Sequence, residues 1–187
     1  MPKSNLPSLG NFRVLLLSTS ILSFAEGLFM PFYIVFLQQF SGSIEQFGFS
    51  VGLLSLTGAI TSYYSGKHSD VFGRKPLLII GFLSFGLIVL AYTPITEIWQ
   101  LYILQVLNGA IGALIYTMTT AFLGDLTKKA SRGADIGKFH AVVGILAALA
   151  MMGGGFVVGS QGYKIIFYAT ALLTFLSTFI LLYVKKK

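Results

Sequence analysis

Hydrophobic residues in this chain run in long unbroken blocks, without the alternation or the three-to-four spacing that marks the half-buried elements of a soluble domain. A membrane-spanning helix needs roughly 20 apolar residues at about 1.5 Å of rise each. Six stretches qualify, at about residues 13–37, 47–65, 76–93, 98–122, 136–158 and 165–184. The breaks between them, residues 38–46, 66–75, 94–97, 123–135 and 159–164, are short and hold the turn-forming and charged residues. The pattern predicts an all-α integral membrane protein: a single domain, residues 1–187, of six transmembrane helices with no soluble domain between them.

Composition supports the same class. The chain is 55% hydrophobic and 10% charged, against about 25% charged in soluble domains. A net charge of +7 raises the question of a nucleic-acid surface, and the placement of the charges answers it. With the N-terminus inside, the cytoplasmic segments hold Lys3, Arg13, Lys67, Arg74, Lys75, Lys128, Lys129, Arg132, Lys138 and Lys185 to Lys187, and the external segments hold Lys164 alone. These cations flank spans and form no separate basic face, so the expectation is a multi-pass protein of the plasma or inner membrane with both termini cytoplasmic and no nucleic-acid partner. The first apolar stretch is too long for a signal h-region and lacks a small-residue cleavage site, so it reads as a helix that stays. The absence of Cys excludes disulfides and thiolate chemistry. Neither His has metal-ligand spacing and no Ser sits in a nucleophile elbow, so no catalytic residue, cofactor or metal is expected.

The polar residues inside the spans carry the functional reading. Glu26 is the only formal charge deep within a span, since Arg13 and Lys138 lie at span ends, and no basic residue at its depth could neutralise it. A carboxylate at bilayer depth costs several kcal/mol unless protonated, paired or wetted, so Glu26 should face a cavity. Ser23, Glu26, Met30 and Tyr33 share one face of the first helix, and Gln105, Asn108, Gly112, Tyr116 and Thr119 form a stripe along the fourth. For Gln105 and Asn108 a hydrogen-bonding role between helices is the competing reading. The glycines of the fifth helix suit close packing. His140 has the chemistry of a proton site but lies near the cytoplasmic mouth, where an ordinary polar residue is the preferred reading, and His68 stays unassigned. Tyr92, Trp99, Tyr163 and Tyr183 lie near span ends and read as interfacial anchors. The third and sixth helices have few polar positions and suit peripheral, lipid-facing supports.

The second break reads Gly66-Lys67-His68-Ser69-Asp70-Val71-Phe72-Gly73-Arg74-Lys75-Pro76. It resembles the signature loop between helices two and three of the major facilitator superfamily, G-x-x-x-D-x-x-G-R-K/R, matching it at Gly66, Asp70, Gly73, Arg74 and Lys75. Asp125 and Arg132-Gly133 are similar to that family's charged four–five loop, and Gly162-Tyr163-Lys164 to the opening of its sixth helix. The resemblance covers the N-terminal half of a twelve-helix transporter. It implies two three-helix repeats of opposite topology, alternating access, and a central cavity faced by Glu26, Tyr33, Gln105, Asn108 and Tyr116. It also implies a conformational latch of Gly66, Asp70, Gly73, Arg74, Lys75, Asp125 and Arg132, with Arg74 within reach of Asp70 and Asp125. The helix-four Arg common in proton-coupled members is replaced by Gln105, and the run Gly153-Gly154-Gly155 lacks the Pro of the antiporter motif. The expected function is secondary active transport of a small solute, with Glu26 as the candidate proton site and symport or antiport left open. The expected partners are a small-molecule substrate, protons, the lipid bilayer, and a second copy in a parallel homodimer or a C-terminal half. The alternative is a non-transporting membrane module, either a truncated half or an assembly or scaffold partner.

Overall fold

The computed structural model describes residues 9–162 and 164–185, with residues 9, 39, 70 and 161 through their backbone alone. Tyr163 lies outside the described residues. Six helices follow one another: α1 (Leu9–Ser41), α2 (Ile44–Phe72), α3 (Arg74–Ala91), α4 (Ile98–Leu126), α5 (Arg132–Gln161) and α6 (Lys164–Leu181). All six outrun their apolar blocks at one or both ends, α1, α2, α4 and α5 by three residues or more. A charged residue ends the contact with hydrocarbon, but in the wet headgroup layer nothing obliges the helix to end there.

The expected loop over residues 66–75 shows this most clearly, because it is almost entirely helix. α2 runs to Phe72, and its last turns are held by the Ser69 hydroxyl donating to the Gly66 carbonyl at 2.8 Å and by His68 Nδ1 at 2.8 Å from the Tyr64 carbonyl. Gly73 alone separates α2 from α3. Its φ of +82° is one that side-chain-bearing residues avoid, and its N–H donates to the Ser69 carbonyl at 3.0 Å. The glycine thus makes the turn that the charged residues around it do not.

Five helices, α1, α3, α4, α5 and α6, are long and apolar enough to cross a membrane. α2 is diluted by Ser50, Gly52, Ser55, Thr57, Gly58, Thr61 and Ser62, although at 29 residues it equals α4 in length and packs along it. The other extensive pairings are α1 with α5, α1 with α6, α3 with α4 and α3 with α6. Two crossings depend on glycine: a Cβ on Gly27 would overlap the Ala147 carbonyl of α5, and one on Gly109 would overlap the Leu54 carbonyl of α2. Such close backbone approach is how helices gain dispersion contacts in a solvent as apolar as their own side chains.

Behind these crossings lies an aromatic core of Phe29, Tyr33, Phe36, Phe85, Tyr92 and Phe167. Tyr92, expected at the membrane interface, is instead fully buried in it. The hydroxyls of α6 also point inward: Thr170 donates to the Ala25 carbonyl at 3.2 Å and Ser177 to the Ser18 carbonyl at 2.7 Å, fastening α6 to α1.

Candidate functional site

α1, α2, α4 and α5, with Phe85 of α3, enclose a cavity of about 710 Å³ on one face of the bundle. Its lining is mainly apolar, from Phe29, Met30, Leu54, Ala113, Val143 and Met151, and the polar exceptions are few. Glu26 is the acid among them and is half-buried. Among the described residues nothing donates a hydrogen bond to it, no ion pair reaches it, and no Lys or Arg lines the cavity. The neighbouring backbone is also polar, because Pro31 has no N–H to offer the Gly27 carbonyl one turn earlier.

Of the five expected pathway residues, Glu26, Tyr33, Asn108 and Tyr116 line this one cavity. Tyr116 stands largely exposed at its open rim. Gln105 is placed differently: it is fully buried behind the cavity wall. Its Oε1 accepts hydrogen bonds from the hydroxyls of Tyr33 and of Tyr92, the latter at 2.9 Å, and the two hydroxyls are 3.2 Å apart. The Asn108 amide lies beside both. Gln105 Nε2 has no partner among the described residues. This buried polar knot joins α1, α3 and α4 and holds the Tyr33 ring against the cavity. Tyr92, its third member, carried no sequence signal beyond nearness to a span end. The structure also places His140, read from the sequence as an ordinary polar residue, in the cavity lining.

The latch residues meet in part, at the end of the bundle where α3 begins. Arg74 Nε lies 2.8 Å from Asp125 Oδ2, with side chains 25% and 46% exposed, so the pair is worth at most about 1 kcal/mol. Lys75 Nζ donates to the carbonyls of Leu182, at 2.7 Å, and Val184, just past the end of α6, where the helix dipole favours a cation. Asn11 pairs with the backbone of Lys185 through bonds of 2.9 and 3.0 Å, tying both chain ends to the same place. Gly66 packs beside Thr117 of α4, and Gly73 makes the turn. Arg132 opens α5, exposed and without an ion pair among the described residues. Asp70 falls in the last turn of α2, and its side chain lies outside the described part of the structure.

Comparison with known proteins bears on the whole chain. Residues 15–187 match the family model of the Major Facilitator Superfamily. The chain is 37% identical over 156 residues to the uncharacterized MFS-type transporter YitZ of Bacillus subtilis, covering 82% of this chain and 94% of that protein. Identity to Multidrug resistance protein 2 of the same species is 29% over 160 residues, or 85% of this chain and 40% of that one. The Tetracycline resistance protein, class B, of Escherichia coli is 26% identical over 174 residues, 91% of this chain and 43% of that one. The chain therefore spans nearly the whole of the first relative and less than half of the other two. With an all-helical architecture of five membrane-length apolar helices and a family match running almost from end to end, this chain belongs to the Major Facilitator Superfamily.

Proposed function

We propose that this chain is one half of a secondary active transporter that exchanges a small amphipathic organic cation for protons by alternating access, with Glu26 as the shared site. Family membership makes the chain a multi-pass membrane transporter and not an enzyme. The observation that carries the finer reading is the unpartnered Glu26 in a largely apolar, aromatic-lined cavity. Such a cavity suits a weakly hydrated cation, which gains from aromatic faces such as Phe29 and Tyr33 as well as from the carboxylate. Glu26 can neutralise its charge with a proton or with the cation, and competition between the two couples their movements. That two relatives are named for multidrug and tetracycline resistance supports a small organic solute as the substrate.

Within this reading α2 is the sixth span, and the excess of basic residues on one side puts both termini in the cytoplasm. Two inverted three-helix repeats are supported by the packing. Exchanging α1, α2, α3 for α4, α5, α6 maps α1–α5 onto α2–α4 and α1–α6 onto α3–α4. The cavity is walled on one side only, so a second copy in parallel orientation completes it, and a separate C-terminal half is the other candidate for that place. The test is ethidium transport in proteoliposomes with and without a pH gradient, together with native mass spectrometry. Glu26→Gln is expected to lose proton-driven accumulation and to weaken exchange at equal pH, since the cation loses the carboxylate it shares with the proton. A Glu26→Gln variant that accumulates ethidium like the wild type refutes Glu26 as the coupling site, and a monomer at concentrations where transport is measured refutes the second copy.

A further inference from the structure

We infer that Ser23 and His140 form the path by which the proton passes between Glu26 and the cytoplasm, with His140 as its outer acceptor. The inference rests on Glu26 being the proton site proposed above, and its own basis is geometric. The contact of Gly27 with Ala147 fixes the level at which α1 and α5 cross. Gly154 against Leu28 and Phe32, and Phe12 against Phe139, show that the two helices run in the same direction. Glu26 therefore lies level with the Ala147 turn, and His140, seven residues earlier, lies about 10 Å nearer the end where both helices begin. That end is cytoplasmic in the proposed orientation. His140 lines the same cavity as Glu26 and is exposed to it.

The 10 Å between them is furnished for a proton. Ser23 lines the cavity one turn from Glu26 on the same face, about 4.5 Å along the axis. Gly144, one turn from His140, also lines it, and a Cβ there would meet nothing within 4 Å, so space for water remains. Several hydroxyls in these helices are engaged by a carbonyl three or four residues earlier, as those of Ser18, Thr57, Ser65, Thr120 and Thr127 are. Ser23 makes no hydrogen bond among the described residues, so its hydroxyl is free toward the cavity it lines. A free hydroxyl at that height gives a chain of waters an anchorage.

The charged surroundings are sparse. The titratable groups in the cavity are Glu26 and Tyr33 from α1, Tyr116 from α4 and His140 from α5, while α2 and α3 contribute none. Arg13 of α1, Lys138 of α5 and Lys185 beyond α6 are exposed outside it, and Asp135 is held by Ser131 at 2.8 Å. On α6, which also packs against α5, Lys164 and Tyr168 lie at the far end. Histidine is the side chain suited to taking up and giving off a proton near neutral pH. The step is a relay: the Glu26 O–H proton passes to water or to Ser23 Oγ, Ser23 gives its own proton onward, and an imidazole nitrogen of His140 accepts one and releases it to cytoplasmic buffer. No bond other than O–H and N–H changes.

The test uses the full chain in everted membrane vesicles, whose cytoplasmic face meets the bath, with ethidium uptake driven by an acidic lumen. His140→Gln is expected to slow driven uptake about tenfold or more, the scale lost with one positioned proton-transfer group, while its amount in the membrane and its melting in detergent match the wild type and report a folded protein. Adding imidazole to the bath should restore driven uptake in His140→Gln and leave the wild type unchanged. Ser23→Ala should show a smaller loss without imidazole rescue. If His140→Gln keeps wild-type driven uptake while Glu26→Gln loses it, the path is overturned and Glu26 stands. A rate loss in His140→Gln that imidazole does not restore also overturns it, since a structural role gives that result. If Glu26→Gln is itself driven normally, or ethidium is not transported, the parent reading fails and the path falls with it.

Discussion

Removing the Gln105 side-chain amide tests whether the buried knot positions Tyr33. In the wild type one Gln105 oxygen accepts from two hydroxyls, and the amide nitrogen is buried without a partner. Gln105→Leu deletes the shared acceptor. Without it one of the Tyr33 and Tyr92 hydroxyls, 3.2 Å apart, turns to donate to the other, so one O–H loses its acceptor at a cost of about 1–3 kcal/mol. The same substitution removes the unpartnered N–H₂, whose burial already cost a similar amount, so the two largely offset. The net destabilisation is therefore about 1 kcal/mol or less. Gln105→Ala removes the same polar atoms but also empties a fully buried site, which adds a cavity cost of about 2–4 kcal/mol. Equilibrium unfolding in mixed dodecylmaltoside and SDS micelles measures both variants. A double-mutant cycle of Tyr92→Phe with Gln105→Leu should give a coupling of about 0.5–1.5 kcal/mol, in the range of buried hydrogen bonds in membrane proteins. In transport, Gln105→Leu should raise KM for ethidium several-fold with little change in kcat, because Tyr33 lines the cavity and loses its orientation. Equal costs for Leu and Ala, or no coupling in the cycle, would refute the knot as an energetic unit.

Two further substitutions probe the scaffold. Gly109→Ala forces a Cβ onto the Leu54 carbonyl and should destabilise by about 1–3 kcal/mol through overpacking, whereas Gly112→Ala, with nothing within 4 Å, should be near neutral in detergent melting. Arg74→Gln breaks the pair with Asp125 at a cost of about 1 kcal/mol or less; it should raise the labelling rate of a single cysteine placed at the end of the bundle where α3 begins, in a chain that otherwise has none, and the exchange Arg74→Asp with Asp125→Arg should lower it again.

Much of this architecture is legible from the order of the residues. A bilayer removes the usual ambiguity between buried strand and buried helix, so long apolar blocks announce helices directly. One acid in such a block announces a cavity, and Glu26 is in one. The pairing of Arg74 with Asp125 is also foreseeable, since charges at adjoining ends of two helices have few other partners. Helix ends are less legible, because hydropathy reports where hydrocarbon stops and the backbone stops elsewhere: Lys67 to Phe72 stay helical, and Gly73 turns. The Tyr33, Tyr92 and Gln105 knot is illegible for a different reason. Each residue alone fits an ordinary role, and their meeting depends on the height at which α1, α3 and α4 cross, which is set by small-residue contacts remote in sequence, such as Gly81 against Ile115.

The proposed repeat symmetry sharpens the case for Glu26. In the proposed repeats Gly27 and Gly109 are equivalent, each letting a neighbouring helix reach the backbone, and the residue before each glycine faces the cavity. Those residues are Glu26 and Asn108. The scaffold needs the glycines, but packing alone gives no reason for an acid at one of the two equivalent positions and an amide at the other. Asn108 lies beside two hydroxyls, whereas Glu26 has no partner among the described residues, so the repeat that carries the charge is the one that leaves it unsatisfied. In a completed dimer the two Glu26 carboxylates would share one apolar cavity, where like charges repel strongly. One monovalent cation cannot neutralise both, so a proton stays on one Glu26 while the cation occupies the other. Each transport cycle of the dimer then exchanges one cation for the proton of one carboxylate only, a stoichiometry that a simultaneous record of ethidium and pH in the same vesicles reads directly.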